Sequence, residues 1–133
     1  MRRWLMVLAL LGALLPATAL AHVKLASSNP AAGSTIASAP ATLELVFDGE
    51  VGPDGLKVTV TGPGGARADQ GDARLDLDDI DRKRVLASLK SGLAGGAYAV
   101  DWVVIGADGH EITGSFSFTI QGAAPAPTAT TAP

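Results

Sequence analysis

The chain contains no cysteine, and its only two methionines, Met1 and Met6, lie at the extreme N-terminus. Everything after Met6 therefore lacks sulfur, which excludes disulfide frameworks, thiolate zinc sites, iron–sulfur clusters and soft Cu(I) sites there. Aromatic residues are also scarce, at 5% of the chain. Nitrogen ligands are scarcer still, because the only histidines are His22 and His110.

The first 21 residues have the three parts of a secretory signal peptide. Arg2 and Arg3 are followed by an apolar run at 4–15 and by the small residues Ala19 and Ala21. We predict cleavage after Ala21. An uncleaved membrane anchor is the alternative, although the apolar run is too short to span a bilayer as a helix. Export predicts a periplasmic location without membrane insertion after processing.

Cleavage would leave 112 of the 133 residues, with eight basic and 13 acidic side chains. A net charge of −5 disfavours nucleic acid and anionic lipid as partners. The composition divides this part into one domain, residues 22–121, and the tail "GAAPAPTATTAP" at 122–133. The tail has no charge and no large apolar residue, so we predict that it is disordered.

The pattern between residues 22 and 121 is that of β-strands. Apolar and polar residues alternate at 97–106 and 112–120, and turn sequences such as "GPDG" and "GPGG" separate the strands. This pattern predicts an all-β sandwich or small barrel. Only "LDLDDIDRKRVLASL" at 75–89 has helical character, and its basic run 82–84 is interpreted as a solvated turn. The five largest apolar side chains are assigned to the core: Phe47, Tyr98, Trp102, Phe116 and Phe118.

His22 would become the first residue of the processed protein. A first-position histidine offers its free α-amine and its imidazole Nδ1, which together close a six-membered ring on a metal ion. The amine has a pKa near 8, so a divalent ion can displace its proton at neutral pH. Flat arrangements of nitrogen and oxygen ligands favour Cu(II).

Further ligands could come from "GADGHEI" at 106–112. If the chain is extended there, Asp108 and His110 project to the same side and add a carboxylate and an imidazole. Two alternatives remain open at this stage: Asp108-Gly109 could serve only to close a hairpin, and His110 could be a surface histidine.

These segments resemble the CopC family of periplasmic copper-binding proteins. The resemblance covers the post-signal histidine, "S-x-P-A-x-G-S" at 28–34, "Y-x-V-x-W" at 98–102 and "D-G-H-x-I-x-G-S-F-x-F" at 108–118. It implies a Greek-key sandwich or barrel of about seven strands, cupredoxin-like or immunoglobulin-like.

The resemblance also implies a Cu(II) site formed by His22, Asp108 and His110. In some family members, an acidic residue soon after the "L-x-F" strand also approaches copper. In this chain that strand is the one that ends at Phe47. Here that position is Gly49, between Asp48 and Glu50, so Glu50 is a further candidate ligand. Methionine-rich Cu(I) sites occur in other members, whereas the absence of sulfur after Met6 points to the Cu(II)-only type.

The favoured function is therefore a non-enzymatic Cu(II) carrier in copper resistance or homeostasis, with an inner-membrane copper transporter as a candidate partner. Two other functions are weighed against it. A histidine-brace copper mono-oxygenase would need an open equatorial position that Asp108 would fill. A secreted β-sandwich interaction module would bind no metal.

Overall fold

The computed structural model describes residues 22–122. The predicted signal peptide at 1–21 and residues 123–133 of the predicted tail lie outside these described residues. Within the described part, no helix has the length and hydrophobicity needed to cross a membrane.

Eight strands form two four-stranded sheets. The strands are β1 (Leu25–Asn29), β2 (Thr35–Ile36), β3 (Thr42–Phe47), β4 (Lys57–Thr61), β5 (Arg74–Leu75), β6 (Arg84–Ser88), β7 (Gly96–Ile105) and β8 (Glu111–Ile120). The first sheet has the order β1-β3-β6-β5 and the second β2-β8-β7-β4. All neighbours are antiparallel except β2 and β8, which are parallel. The prediction of an all-β sandwich is confirmed.

The core lies between the two sheets and follows the alternation seen in the sequence. Alternate residues of β7 are buried, while the residues between them are exposed or partly exposed. The ring of Phe47 packs edge-on against Trp102 with centroids 5.1 Å apart, and Tyr98 stacks on Phe118 at 5.4 Å. Phe116 is only partly buried but packs against this core. Four of the five predicted core residues are therefore buried in the core, and the fifth packs against it.

The helical character of residues 75–89 does not produce a helix. The segment contains the end of β5, a turn region and all of β6, in which Val85 and Ala87 are buried on alternate positions. The side chain of Asp79 accepts hydrogen bonds from the backbone N–H groups of Lys83 and Arg84, at 2.8 and 2.9 Å. Such local aspartate bonds compete with helical backbone bonding, and strand pairing with β3 then determines the outcome.

The segment 48–52, after β3, connects the two sheets at one end of the sandwich. Val51 forms an isolated bridge with Gly106, and the N–H of Gly52 donates to the carbonyl of Ile105 at 2.7 Å. The N–H of Ala107 donates to the carbonyl of Glu50 at 3.2 Å. The start of β1, which pairs with the end of β3, is therefore brought beside the turn between β7 and β8.

Candidate metal centre

The turn between β7 and β8 carries Asp108 and His110. Its backbone is closed by the N–H of Gly109 donating to the carbonyl of Gly106 and by the N–H of Gly106 donating to the carbonyl of His110, both at 2.9 Å. Gly109 has a φ of +82°, a conformation that costs glycine little and other residues more. The Asp108-Gly109 pair therefore closes a hairpin, as the first of the two alternatives from the sequence predicted.

The same turn also brings the two candidate ligands together. Oδ1 of Asp108 accepts the backbone N–H of His110 at 3.0 Å, and Oδ2 lies 3.0 Å from Nδ1 of the His110 ring. The expected extended backbone is absent from this segment, which is a turn at 107–108. The two side chains meet because the aspartate folds back on the residue two positions later.

His22 reaches this turn from the irregular segment that precedes β1 of the first sheet. Its Nδ1 lies 3.9 Å from Oδ2 of Asp108, and its ring centroid lies 5.9 Å from that of His110. One ligand atom from each of His22, Asp108 and His110 falls within 4.8 Å of the other two. Within residues 22–122, these three form the one group of at least three such side chains close enough to hold a metal ion.

The cluster is open to solvent on the histidine side. The side chains of His22 and His110 are 63% and 61% exposed, against 22% for Asp108. The carboxylate therefore forms the floor of the cluster, and an ion could enter and leave between the imidazoles. This arrangement suits reversible binding better than permanent burial of a metal.

The Asp108 carboxyl group is held in its charged form. The hydrogen bond from the His110 side chain, and next the one from the His110 backbone N–H, lower the pKa of Asp108 below its ordinary value. Oδ2 of Asp108 and Nδ1 of His110 therefore face each other at 3.0 Å, a separation at which both atoms can contact one metal ion.

Glu50, the further candidate ligand, is not brought into the cluster. Its carboxylate lies 3.6 Å from the guanidinium of Arg82. Asp48 is engaged elsewhere too, because its Oδ1 accepts the backbone N–H of Lys24 at 2.7 Å. The structure thus assembles three of the four predicted side chains.

Close packing of Val23 with Gly49 and Gly106 shapes the centre and was not predicted from the sequence. A Cβ atom at Gly106 would lie 3.0 Å from Oδ1 of Asp108 and 3.5 Å from a methyl group of Val23. A Cβ atom at Gly49 would lie 3.0 Å from the same Val23 methyl. Val23 thus packs where two glycines leave room, directly beside His22. No sequence signal marks this packing, since Gly49 and Gly106 look like ordinary loop glycines.

Two imidazoles and one carboxylate make a nitrogen–oxygen donor set that suits borderline divalent ions such as Cu(II), and residues 22–122 contain no sulfur ligand to compete. The fold and the site together define a small β-sandwich protein with a candidate metal-binding cluster on the surface at one end. The chain belongs to the CopC domain family, whose model matches residues 25–121.

Individual relatives support the assignment of the chain to this family. The chain is 36% identical over 113 residues to copper resistance protein C of Pseudomonas syringae pv. tomato, covering 83% of this chain and 89% of that protein. It is 30% identical over 118 residues to copper transport protein CutJ of Bacillus subtilis, covering 89% of this chain. The chain spans only 21% of the length of CutJ.

A solved structure shares the fold. CopC from Methylosinus trichosporium OB3b superposes with a TM-score of 0.67 at 26% identity. The match covers 75% of this chain and 94% of that one.

Proposed function

We propose that the processed protein binds one Cu(II) ion outside the cytoplasm and serves copper resistance or homeostasis as a buffer or carrier. The observation that carries this proposal is the convergence of His22, Asp108 and His110, with ligand atoms within 4.8 Å of one another. Membership of a family whose relatives are named for copper resistance supports the choice of metal.

The ligands would be the α-amine and Nδ1 of His22, the carboxylate of Asp108 and the imidazole of His110. The α-amine exists only after cleavage at Ala21, because an internal residue has an amide nitrogen in its place. Processing would therefore supply the second nitrogen of the chelate. Nitrogen and oxygen donors, with no thioether or thiolate after residue 21, support Cu(II) over Cu(I).

The site supports binding rather than catalysis. A carboxylate already faces both imidazoles, so the equatorial position that oxygen activation needs would be filled by Asp108. The open histidine side is suited to handing the ion to another protein. An inner-membrane copper transporter is the partner we propose, since the relative CutJ, named a copper transport protein, matches this chain over 21% of its own length.

The proposal is tested by competition titration of Cu(II) into exported protein whose first residue, His22, has been verified by mass spectrometry. The matched comparison is the same protein with the His22 α-amine acetylated. Tethering two ligands raises binding by effective concentration, so acetylation should weaken Cu(II) binding by about 100-fold or more. Equal affinities for the two forms would contradict the chelate, and no binding by either would contradict the function.

A further inference from the structure

Asp48 makes two hydrogen bonds with the backbone of Lys24. The Asp48 N–H donates to the carbonyl of Lys24 at 2.9 Å, and Oδ1 of Asp48 accepts the Lys24 N–H at 2.7 Å. The pairing of β1 with β3 ends at Leu25 and Phe47, the chain neighbours of Lys24 and Asp48. The aspartate side chain therefore provides the acceptor that the ladder no longer supplies, and it extends the fixed backbone to Lys24.

Followed from β1 towards His22, Lys24 is the last of the described residues whose backbone makes hydrogen bonds of this kind. Among the backbone hydrogen bonds of residues 22–122, none involves His22 or Val23. The position of residues 22–23 is instead determined by the side chain of Val23, which packs against Gly49 and Gly106, where no side chain occupies the space. Apart from its own contacts with Asp108 and His110, His22 is thus held in place by the packing of Val23 and by the bonds at Lys24.

We propose that Asp48 is a positioning residue for the copper centre. It fixes Lys24 and so holds the α-amine and imidazole of His22 over Asp108 and His110, without being a ligand itself. This inference rests on the proposed function. Its physical basis is that a segment already ordered before binding loses less conformational entropy when the metal arrives.

The first test separates the hydrogen bond from the charge. In Asp48→Ala the acceptor is lost, and Cu(II) affinity should fall by about 10-fold or more, as for other residues that orient metal ligands. In Asp48→Asn the side-chain oxygen can still accept the Lys24 N–H, so most of the affinity should be retained. Asp54→Ala is the control, because it removes a carboxylate from an exposed turn with no hydrogen bond to the N-terminal segment.

The second test asks whether Asp48 acts through His22. Asp48→Ala is combined with acetylation of the His22 α-amine in a double-mutant cycle. Residues that act independently give additive free energies, whereas coupled ones do not. Acetylation removes the amine and leaves the imidazole of His22, so Asp48→Ala should weaken the affinity of the acetylated protein by clearly less than it weakens that of the free-amine protein. An unchanged effect in the acetylated protein would show that Asp48 acts by another route.

The third test needs no copper. Hydrogen exchange of the Lys24 amide should be slow in the wild-type protein and in Asp48→Asn, and fast in Asp48→Ala, because an N–H without an acceptor opens to solvent. The melting temperature of each variant shows whether the domain itself remains folded.

The outcomes distinguish this inference from the proposed function. Wild-type protein that binds no Cu(II) would overturn the function. Tight wild-type binding together with undiminished binding by Asp48→Ala would overturn the role of Asp48 alone. Equal losses in Asp48→Ala and Asp48→Asn would also overturn it, since they would assign the effect to charge rather than to position.

Discussion

Gly106 and Asp108 are in close contact, because Gly106 has no side chain and so leaves the space that the Asp108 carboxylate occupies. A Cβ atom at Gly106 would lie 3.0 Å from Oδ1 of Asp108, tighter than ordinary van der Waals contact, and 3.4 Å from Cδ1 of Ile112. The carboxylate at the floor of the centre is thus positioned by a glycine two residues earlier. Residues that contact no metal can therefore determine the ligand geometry.

Gly106→Ala should displace the Asp108 carboxylate and weaken Cu(II) binding by about 10-fold, as expected for a change beside a metal ligand. The measurement is a competition titration. Gly52→Ala is the matched control, because its added Cβ would meet the Ile105 carbonyl at an ordinary 3.5 Å. Equal affinities for the two variants would show that the contact at Gly106 does not position the carboxylate.

His110→Ala and Asp108→Asn should weaken Cu(II) binding to different degrees. Loss of the imidazole removes a nitrogen ligand, and about a 100-fold loss is expected from the reduced effective concentration of ligands. Asp108→Asn keeps an oxygen that can accept the His110 N–H and loses only the charge, so about a 10-fold loss is expected. Electron paramagnetic resonance should show fewer coupled nitrogens in His110→Ala alone. Glu111→Gln, an exposed charge change outside the cluster, should leave both the affinity and the spectrum unchanged.

Cu(II) should raise the melting temperature of the processed protein. A ligand that binds only the folded state adds about 2.7 kcal/mol to the free energy of unfolding at a free concentration of 100 times its dissociation constant. The shift should shrink in His110→Ala, measured at the same copper concentration. An equal shift in both proteins would place the bound copper somewhere other than the proposed centre.

Asp69 should stabilise the fold above acidic pH. Its carboxylate is buried and accepts hydrogen bonds from the N–H groups of Val60 and Gly71 at 2.8 and 2.9 Å, and it pairs with Arg67. Asp69→Ala leaves the buried N–H of Val60 without this acceptor and removes the partner of Arg67, and it should lower the free energy of unfolding by about 2 kcal/mol at neutral pH. Asp101→Ala, on the exposed face of β7, should change it by only about 0.5 kcal/mol or less.

The contribution of Asp69 should depend on pH in a defined direction. Burial raises the pKa of Asp69, but the bonds from Arg67, Val60 and Gly71 outweigh burial, and the pKa in the folded protein lies below its ordinary value. Stability from this group is therefore complete above the unfolded pKa of about 3.9 and is lost as pH falls through the lower folded value. Thermal melts from pH 7 downward should show the difference between wild type and Asp69→Ala narrowing only below about pH 4. A constant difference down to pH 2 would contradict this assignment.

The sequence by itself determined the strand pattern, the core and the identity of the three clustered side chains. Period-two alternation reports which face of a strand is buried, so the assignment of Trp102 and Phe118 to the core needed no knowledge of the fold. The absence of sulfur likewise restricted any metal site to nitrogen and oxygen ligands. Alternation says little about short irregular segments, which is why residues 84–88 were not recognised as a strand until their pairing with β3 was known.

Only the tertiary structure decided which candidates meet. His22 and Asp108 are far apart in the chain, and their approach depends on β1 pairing with β3, on segment 48–52 crossing to the second sheet, and on Val23 packing beside Gly106. Glu50 lies within this crossing segment, yet its carboxylate faces Arg82. Local pattern determines which side chains are available, whereas long-range strand pairing and close packing determine where they point, because those contacts join residues that no sequence period relates.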